Sequence, residues 1–340
     1  MEEVAAGKEG MVERAYIPSL GLSNKASLEV DLDELDDNDD DGGGGGGDAT
    51  VALPLERDLG VRTLWPEVGK LFGHDGEIVC LASRGDVAGA EGGVLVASAC
   101  KARDVENAAI RLWDVDTRHC VDVLKGGHRS TVASMSFSSD GTFLASSGKD
   151  RRLCLWQKTN PRTNNYHLAA AADNAHKRIV WSVEFCPASH NKRRLLLATG
   201  ARDGMVKLWS VATTTTNSGL PDDNNDGPSS VTLTTLYTVA PSKGVAVMSL
   251  SVSHDGALLA VGLENGLIQV WTFQNRDDET NDVGMELAHA VPVRNCHSSA
   301  VKALAWRPAG GGGEEHILAS GGLDGGVRLF RFSYGSKDDV

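Results

Sequence analysis

Five short apolar runs, each ending in an aromatic residue, recur along the chain and constrain its fold more than any other feature. They are IRLW at Trp113, LCLW at Trp156, VKLW at Trp209, IQVW at Trp271 and VRLF at Phe330, spaced by 43, 53, 62 and 59 residues. Self-similarity at such a period marks a repeated supersecondary unit, near the roughly 40–45 residues of a four-stranded propeller blade. The excess length falls in NPRTNNYH before Ala169, TTTTNSGLPDDNNDGPSS after Ala212, QNRDDETND after Phe273 and AGGGGEE before His316. Clusters of Asn, Asp, Gly, Ser and Thr of this kind form loops between elements.

Other positions keep step with the aromatic. About six residues before it stands a turn former: Asn107, Asp150, Asp203, Asn265 and Asp324. In the second unit, GGHRSTVASMSFSSDGTFLASSGKDRRLCLWQ, the pattern predicts three strands. The first holds Val132, Met135 and Phe137, the second Phe143 and Leu144, the third Leu153 and Leu155, with an Asp-Gly turn between the first two. Strands at regular spacing, bounded by turn residues, argue an all-β fold. A lone small sheet cannot bury both of its faces. Packing like sheets side by side around an axis covers them and shelters strand edges. The expected architecture is a β-propeller with about five recognisable four-stranded blades.

Three units carry the same polar set: His128, Ser146, Asp150 and Trp156; His176, Thr199, Asp203 and Trp209; His297, Ser320 and Asp324, followed by Phe330. Ser, His and Asp are also the parts of a nucleophilic hydrolase. A hydrolase needs them once, however, whereas here they return with every well-formed unit, and no G-x-S-x-G elbow accompanies them. They are expected to be buried hydrogen-bonded ties between the loop before the first strand and the turn between the second and third. The glycine tract Gly42–Gly47 has no following Gly-Lys-Ser/Thr to cradle phosphate. The histidines and cysteines show no metal-ligand spacing. No catalytic, cofactor-binding or metal-ligating residue is expected.

The net charge of −13 disfavours a protein that coats nucleic acid by bulk charge. The segment Glu29–Asp48 holds about ten of the acids and no Lys or Arg, so the rest of the chain is near −3. If the polar ties form, the His loop and the Asp turn share one end of a blade. Arg129, Lys149, Arg151, Lys177, Arg178 and Arg202 then gather on one face of two adjacent blades. This is a candidate docking patch for RNA or for an acidic protein partner. Lys192, Arg193 and Arg194 belong to a separate loop, expected on the opposite face. No run approaches about 18 apolar residues, and the N-terminus MEEVAAGKEG lacks the apolar core of a secretory signal. The six scattered cysteines are expected to be reduced thiols in a cytoplasmic or nuclear protein without membrane contact.

The pairs Gly73–His74 and Gly127–His128, with Trp113–Asp114, resemble the WD-repeat propeller family. The unit starting at Thr238 departs from it, lacking the leading His and holding Glu264–Asn265 where Asp is expected. Beyond the generic repeat, several stretches resemble the Elongator subunit 2 family. They are IPSLGLSNKA (17–26), PLERDLGVRTLWPEVGKLFGH (54–74), LVASACKARDVENAAIRLWDV (95–115), AHKRIVWSVEF (175–185) and the closing CHSSAVKALAW with LASGGLDGGVRLF.

That resemblance implies a non-catalytic scaffold subunit of the Elongator complex, which modifies the wobble uridine of certain tRNAs. The implied partners are the other Elongator subunits, scaffold and catalytic, in cytoplasm and nucleus. The family's catalytic chemistry belongs to a different polypeptide. Its subunit 2 carries two seven-bladed propellers in a chain more than twice as long. Five units against seven leave an incomplete ring: either the chain is a fragment, or the segment 1–28 supplies irregular blade strands. The expected organisation is the segment 1–28, an acidic Gly-rich disordered insertion at 29–52, propeller blades over 53–335 and a tail at 336–340. The alternative is a generic WD-repeat adaptor, such as a ubiquitin-ligase receptor or a chromatin-associated protein.

Overall fold

The computed structural model describes residues 14–16, 25–27, 70–84, 93–160, 163–187, 195–214, 230–277, 282–308 and 315–333. The expected insertion at 29–52, the tail at 336–340 and the basic loop at 192–194 lie outside the described residues. The chain divides into two units, Met1–Phe72 and Gly73–Val340. In the first, β1 (Arg14–Tyr16) and β2 (Lys25–Ser27) pair antiparallel, with Arg14 opposite Ser27.

The second unit is a β-propeller of five antiparallel sheets, in which each strand pairs with the next in sequence. The first sheet comprises β3 (Ile78–Arg84), β4 (Leu95–Cys100), β5 (Ile110–Asp114) and β6 (Cys120–Leu124). The second comprises β7 (Val132–Phe137), β8 (Phe143–Gly148), β9 (Leu153–Lys158) and β10 (Tyr166–Ala172). The third comprises β11 (Val180–Cys186), β12 (Leu195–Ala201), β13 (Val206–Thr214) and β14 (Ser230–Val239). The fourth comprises β15 (Val247–Val252), β16 (Leu258–Leu263), β17 (Ile268–Asp277) and β18 (Asp282–Ala290). The fifth has three strands among the described residues: β19 (Val301–Trp306), β20 (Glu315–Gly322) and β21 (Val327–Ser333). The tight turns between first and second strands need a left-handed residue, and Gly141 (φ +68°) and Gly256 (φ +69°) supply it after Asp140 and Asp255. No helix among the described residues is long and apolar enough to cross a membrane.

Neighbouring sheets meet through their first strands, β3 against β7, β7 against β11, β11 against β15 and β15 against β19. Serine hydroxyls bridge these strands where a hydrogen-bonded ladder cannot. Ser134 Oγ accepts the Val183 N–H at 3.2 Å, and Ser136 Oγ the Phe185 N–H at 3.1 Å. Ser182 Oγ accepts the Leu250 N–H at 3.0 Å, and Ser249 Oγ donates to the Val301 carbonyl at 3.2 Å. The core lies between sheets rather than within one. Phe143 and Leu155 of the second sheet pack with Val183, Leu197 and Trp209 of the third. Val206 and Leu208 of the third pack with Val247, Leu250 and Leu259 of the fourth. Burying one such side chain contributes about 1.5–3 kcal/mol. Each interface is therefore a small core that exists only because a neighbour is present.

Candidate functional site

The third sheet shows how the recurring polar groups are used. His176 lies in the loop before β11, with Nε2 2.8 Å from Thr199 Oγ1 on β12. The Trp209 indole N–H on β13 donates to the same oxygen at 2.8 Å. On the other side of the ring, Nδ1 is 3.2 Å from both carboxylate oxygens of Asp203. Asp203 also accepts the backbone N–H groups of Lys177 and Met205 at 2.9 and 3.1 Å. With Nδ1–H donating to the carboxylate, Nε2 accepts the hydroxyl proton, and the hydroxyl in turn accepts from the indole. The imidazole, hydroxyl and indole groups of this tie are thereby all satisfied.

The second sheet repeats this arrangement. His128 contacts Ser146 at 2.8 Å and Asp150 at 3.1 and 3.2 Å, while Trp156 donates to Ser146 at 2.9 Å. The fifth has His297 against Ser320 at 2.8 Å and Asp324 at 2.9 Å, and Phe330 brings no N–H to extend it. All three imidazoles are buried, as are Ser146, Thr199 and Ser320. The hydroxyls are buried and already engaged, so the geometry is that of a structural tie. Burial lowers the His176 pKa, with Lys207 adding to the effect and Asp203 opposing it. Burial resists ionisation of Asp150, but His128 and the N–H groups of Arg129 and Arg152 outweigh it and hold the carboxyl below its usual range. The N–H groups of Gly326 and Ser298 bring Asp324 down to about 2.

The first and fourth sheets vary the device. Ser98 belongs to the first, with His74 Nε2 at 2.7 Å and the Trp113 indole at 2.6 Å. Sequence reasoning missed this serine, although LVASAC aligned on LASSG offers it. Asp104, in the longer Lys101–Asn107 connection, bonds Asn107 instead of the imidazole. In the fourth sheet Gln269 replaces the imidazole and hydroxyl: Trp271 donates to its carbonyl oxygen at 3.1 Å, and its amide donates to the Pro241 carbonyl at 3.1 Å. The same position in the third sheet, Lys207, holds the Ala175 carbonyl at 2.6 Å.

These ties bring the loop before each sheet and the turn after its second strand to one end. Lys149 N–H donates to the Thr131 carbonyl at 3.0 Å and Arg202 N–H to Ile179 at 2.8 Å. Ala175 N–H donates to the Arg151 carbonyl at 3.0 Å, joining the turn of the second sheet to the loop of the third. Arg129, Lys149, Arg151, Lys177, Arg178 and Arg202 are all exposed here. Among the described ion pairs none involves these six, whereas Arg152 pairs with Asp173 at 2.6 Å. Beyond the second sheet the connection carrying Asp104 and Glu106 is anchored by Ala102 N–H on Thr131 Oγ1 at 3.1 Å. Beyond the third sheet stands the exposed Glu264.

One member of the patch has an unusual backbone. Arg151 sits at φ +65°, while the matching turns use glycine: Gly204 (+78°), Gly266 (+87°) and Gly325 (+75°). A side chain in this left-handed region costs about 1–2 kcal/mol.

Comparison with known proteins agrees with this architecture. The WD domain, G-beta repeat family matches residues 118–157, 168–210, 233–272 and 290–331. The first match runs from β6 through β9, so one sequence repeat supplies the last strand of one sheet and three strands of the next. Elongator complex protein 2 of Danio rerio is 32% identical over 94% of this chain, and that of Drosophila melanogaster 34% over 95%. The Arabidopsis thaliana protein of the same name is 34% identical over 83% of the chain. The chain spans 40%, 38% and 31% of the lengths of these three relatives. A chain of the solved structure titled "Crystal Structure of Mitotic Checkpoint Complex" matches with a TM-score of 0.53 at 20% identity, covering 78% of this chain and 65% of that one, which speaks to the fold alone. The chain is a WD-repeat β-propeller protein, related over most of its length to Elongator complex protein 2.

Proposed function

We propose that the chain acts as a non-catalytic scaffold or adaptor subunit of an Elongator complex, supporting wobble-uridine modification of tRNA by bridging other subunits. The relation to Elongator complex protein 2 across animals and a plant carries this reading. The geometry supports the non-catalytic part, because the three Ser/Thr, His and Asp sets are used up internally as sheet ties. Cys80 and Cys154 are unsuited to thiol chemistry too: burial pushes both up to about 12, far from a reactive thiolate. The adaptor works where its partners do, in cytoplasm and nucleus.

Affinity purification of the tagged 340-residue chain from its own cells tests the proposal. The scaffold and catalytic Elongator subunits are expected in stoichiometric yield, with wobble-uridine modification reduced when the chain is depleted. Recovery of a ubiquitin-ligase or chromatin assembly without Elongator subunits would overturn it.

A further inference from the structure

We propose that the face formed by the second and third sheets is a docking site for single-stranded RNA, with Arg151, Arg178 and Arg202 on phosphates and Trp181 as the stacking surface for a base. The inference concerns this chain alone and stands or falls independently of any assembly. Three observations carry it.

The first is charge. Six exposed cations gather from two adjacent sheets, joined by the Arg151–Ala175 backbone bond; none is in an ion pair among the described residues, and the Asp150 and Asp203 carboxylates in the same turns are held by His128 and His176. Unpaired Lys and Arg on a chain of net charge −13 form a local anion site rather than a bulk property. In the connection on one side Lys101 and Arg103 balance Asp104 and Glu106, and on the other side stands Glu264, so the excess positive charge lies on these two sheets.

The second is strain. Arg151 occupies the left-handed turn position at which the third, fourth and fifth sheets have glycine. An arginine kept where glycine fits better points to use of its side chain, since strained residues collect at functional sites.

The third is a partly exposed indole. Trp181 is the second residue of β11, two positions after Ile179, which anchors Arg202. It is half-buried, and Lys302 Nζ stands 5.9 Å from its ring centroid. A tryptophan two positions along the strand from the carbonyl that anchors Arg202 offers a stacking surface that suits a nucleic acid better than an acidic peptide. Bases stack on indole rings, while phosphates meet the guanidinium groups.

The full chain would be titrated against a fluorescein-labelled oligouridylate of about 12 nucleotides, by anisotropy over a salt series. Six phosphate contacts predict a log–log salt slope of about −4. The combined R151Q, R178Q and R202Q variant is expected to reduce that slope by about 2 units. A control triple at Arg118, Arg307 and Arg331, at the other end of the first and fifth sheets, should leave it unchanged. Trp181→Ala is expected to weaken binding about tenfold at constant slope, with Trp181→Phe retaining most of it. Arg151→Gly, which suits the turn, provides a folded variant if the triple is unstable, and should lower the slope by about 0.7. An unaltered slope in the patch variants, or an equal loss in the control triple, would overturn the site. Competition by polyglutamate as effective as by RNA would overturn it in favour of an acidic protein. An unaltered Trp181→Ala affinity would overturn the stacking role.

Discussion

The third strands of the third and fifth sheets have nearly the same sequence and opposite surroundings. In VKLW, Val206 and Leu208 are 1% and 0% exposed; in VRLF, Val327 and Leu329 are 77% and 72% exposed. The third sheet is followed by a fourth, and the fifth has no successor among the described residues. Leu81 of the first sheet, with no sheet before it there, is likewise 64% exposed, while its counterpart Val183 is 1% exposed. The apolar pattern declares that a face needs cover. Only the neighbouring sheet decides whether it has it.

Truncation should separate the two positions sharply. Leu208→Ala is expected to cost about 3 kcal/mol, within the range for a buried leucine that leaves a cavity. Leu329→Ala should cost less than about 0.5 kcal/mol, as an exposed substitution does. Urea unfolding of the two variants checks this. Equal losses would mean that β21 is covered in solution, and the contrast between the sheets would dissolve.

Glycine sharpens the same comparison. Gly266 and Gly325 occupy equivalent left-handed turns, at φ +87° and +75°. A Cβ on Gly266 would overlap the His297 carbonyl of the following loop, whereas one on Gly325 meets no atom within 4 Å. Gly325→Ala should therefore cost only the backbone strain, about 1 kcal/mol. Gly266→Ala must also displace the loop before the fifth sheet, raising the loss to about 3 kcal/mol. Thermal unfolding of both variants reads the difference. A larger loss at Gly325 would argue against a free end there.

What was legible in the sequence follows the same division. The sheets were readable because period-two alternation and turn residues act within a unit, so Val132, Phe143 and Leu153 fall on the strands expected of them. The grouping of His176, Thr199, Asp203 and Trp209 could be anticipated because all four belong to one repeat. Ser98 was obscured by the longer connection after β4, which shifts its spacing to Trp113. Gln269 was invisible as a tie, because an amide replacing an imidazole leaves no familiar spacing. The bare faces of the first and fifth sheets could not be read at all, since exposure depends on a neighbour the local pattern does not encode. The left-handed Arg151 needed coordinates, although Asp-Gly at the other turns hinted at it.

Interior interfaces also differ among themselves. At the fifth position of the first strand, the second and fourth sheets have Ser136 and Ser251, while the third has Glu184. Burial pushes the Glu184 carboxyl up to about 7, with a Ser136 hydrogen bond only partly opposing it. A raised carboxyl favours the neutral form in the folded state. Its contribution is complete below the unfolded value near 4.5 and is lost as pH rises through about 7. Glu184→Gln is expected to stabilise the protein by about 2 kcal/mol at alkaline pH and to leave it unchanged in acid. His176 acts in the opposite sense. Its pKa is lowered by burial, so its contribution is complete above the unfolded value of 6.5 and declines as pH falls below it. Urea midpoints measured across pH for wild type, Glu184→Gln and His176→Gln separate the two slopes. Parallel wild-type and Glu184→Gln profiles would show that the carboxylate is already hydrated between the sheets.

The smallest expected effect has the most to say about the basic face. Arg151→Gly removes about 1–2 kcal/mol of left-handed strain. It also loosens the unfolded chain, which offsets about 0.5–1 kcal/mol of the gain. The net change is a stabilisation of about 0.5–1 kcal/mol. The reciprocal Gly325→Arg change should destabilise by a similar amount, because no atom crowds that turn. The sign is what matters. If the Arg151 side chain held the turn together, its removal would lower stability and RNA affinity in parallel. An arginine held against its backbone preference for the sake of a ligand predicts that the two move apart, with the unfolding midpoint rising as the oligouridylate dissociates more readily.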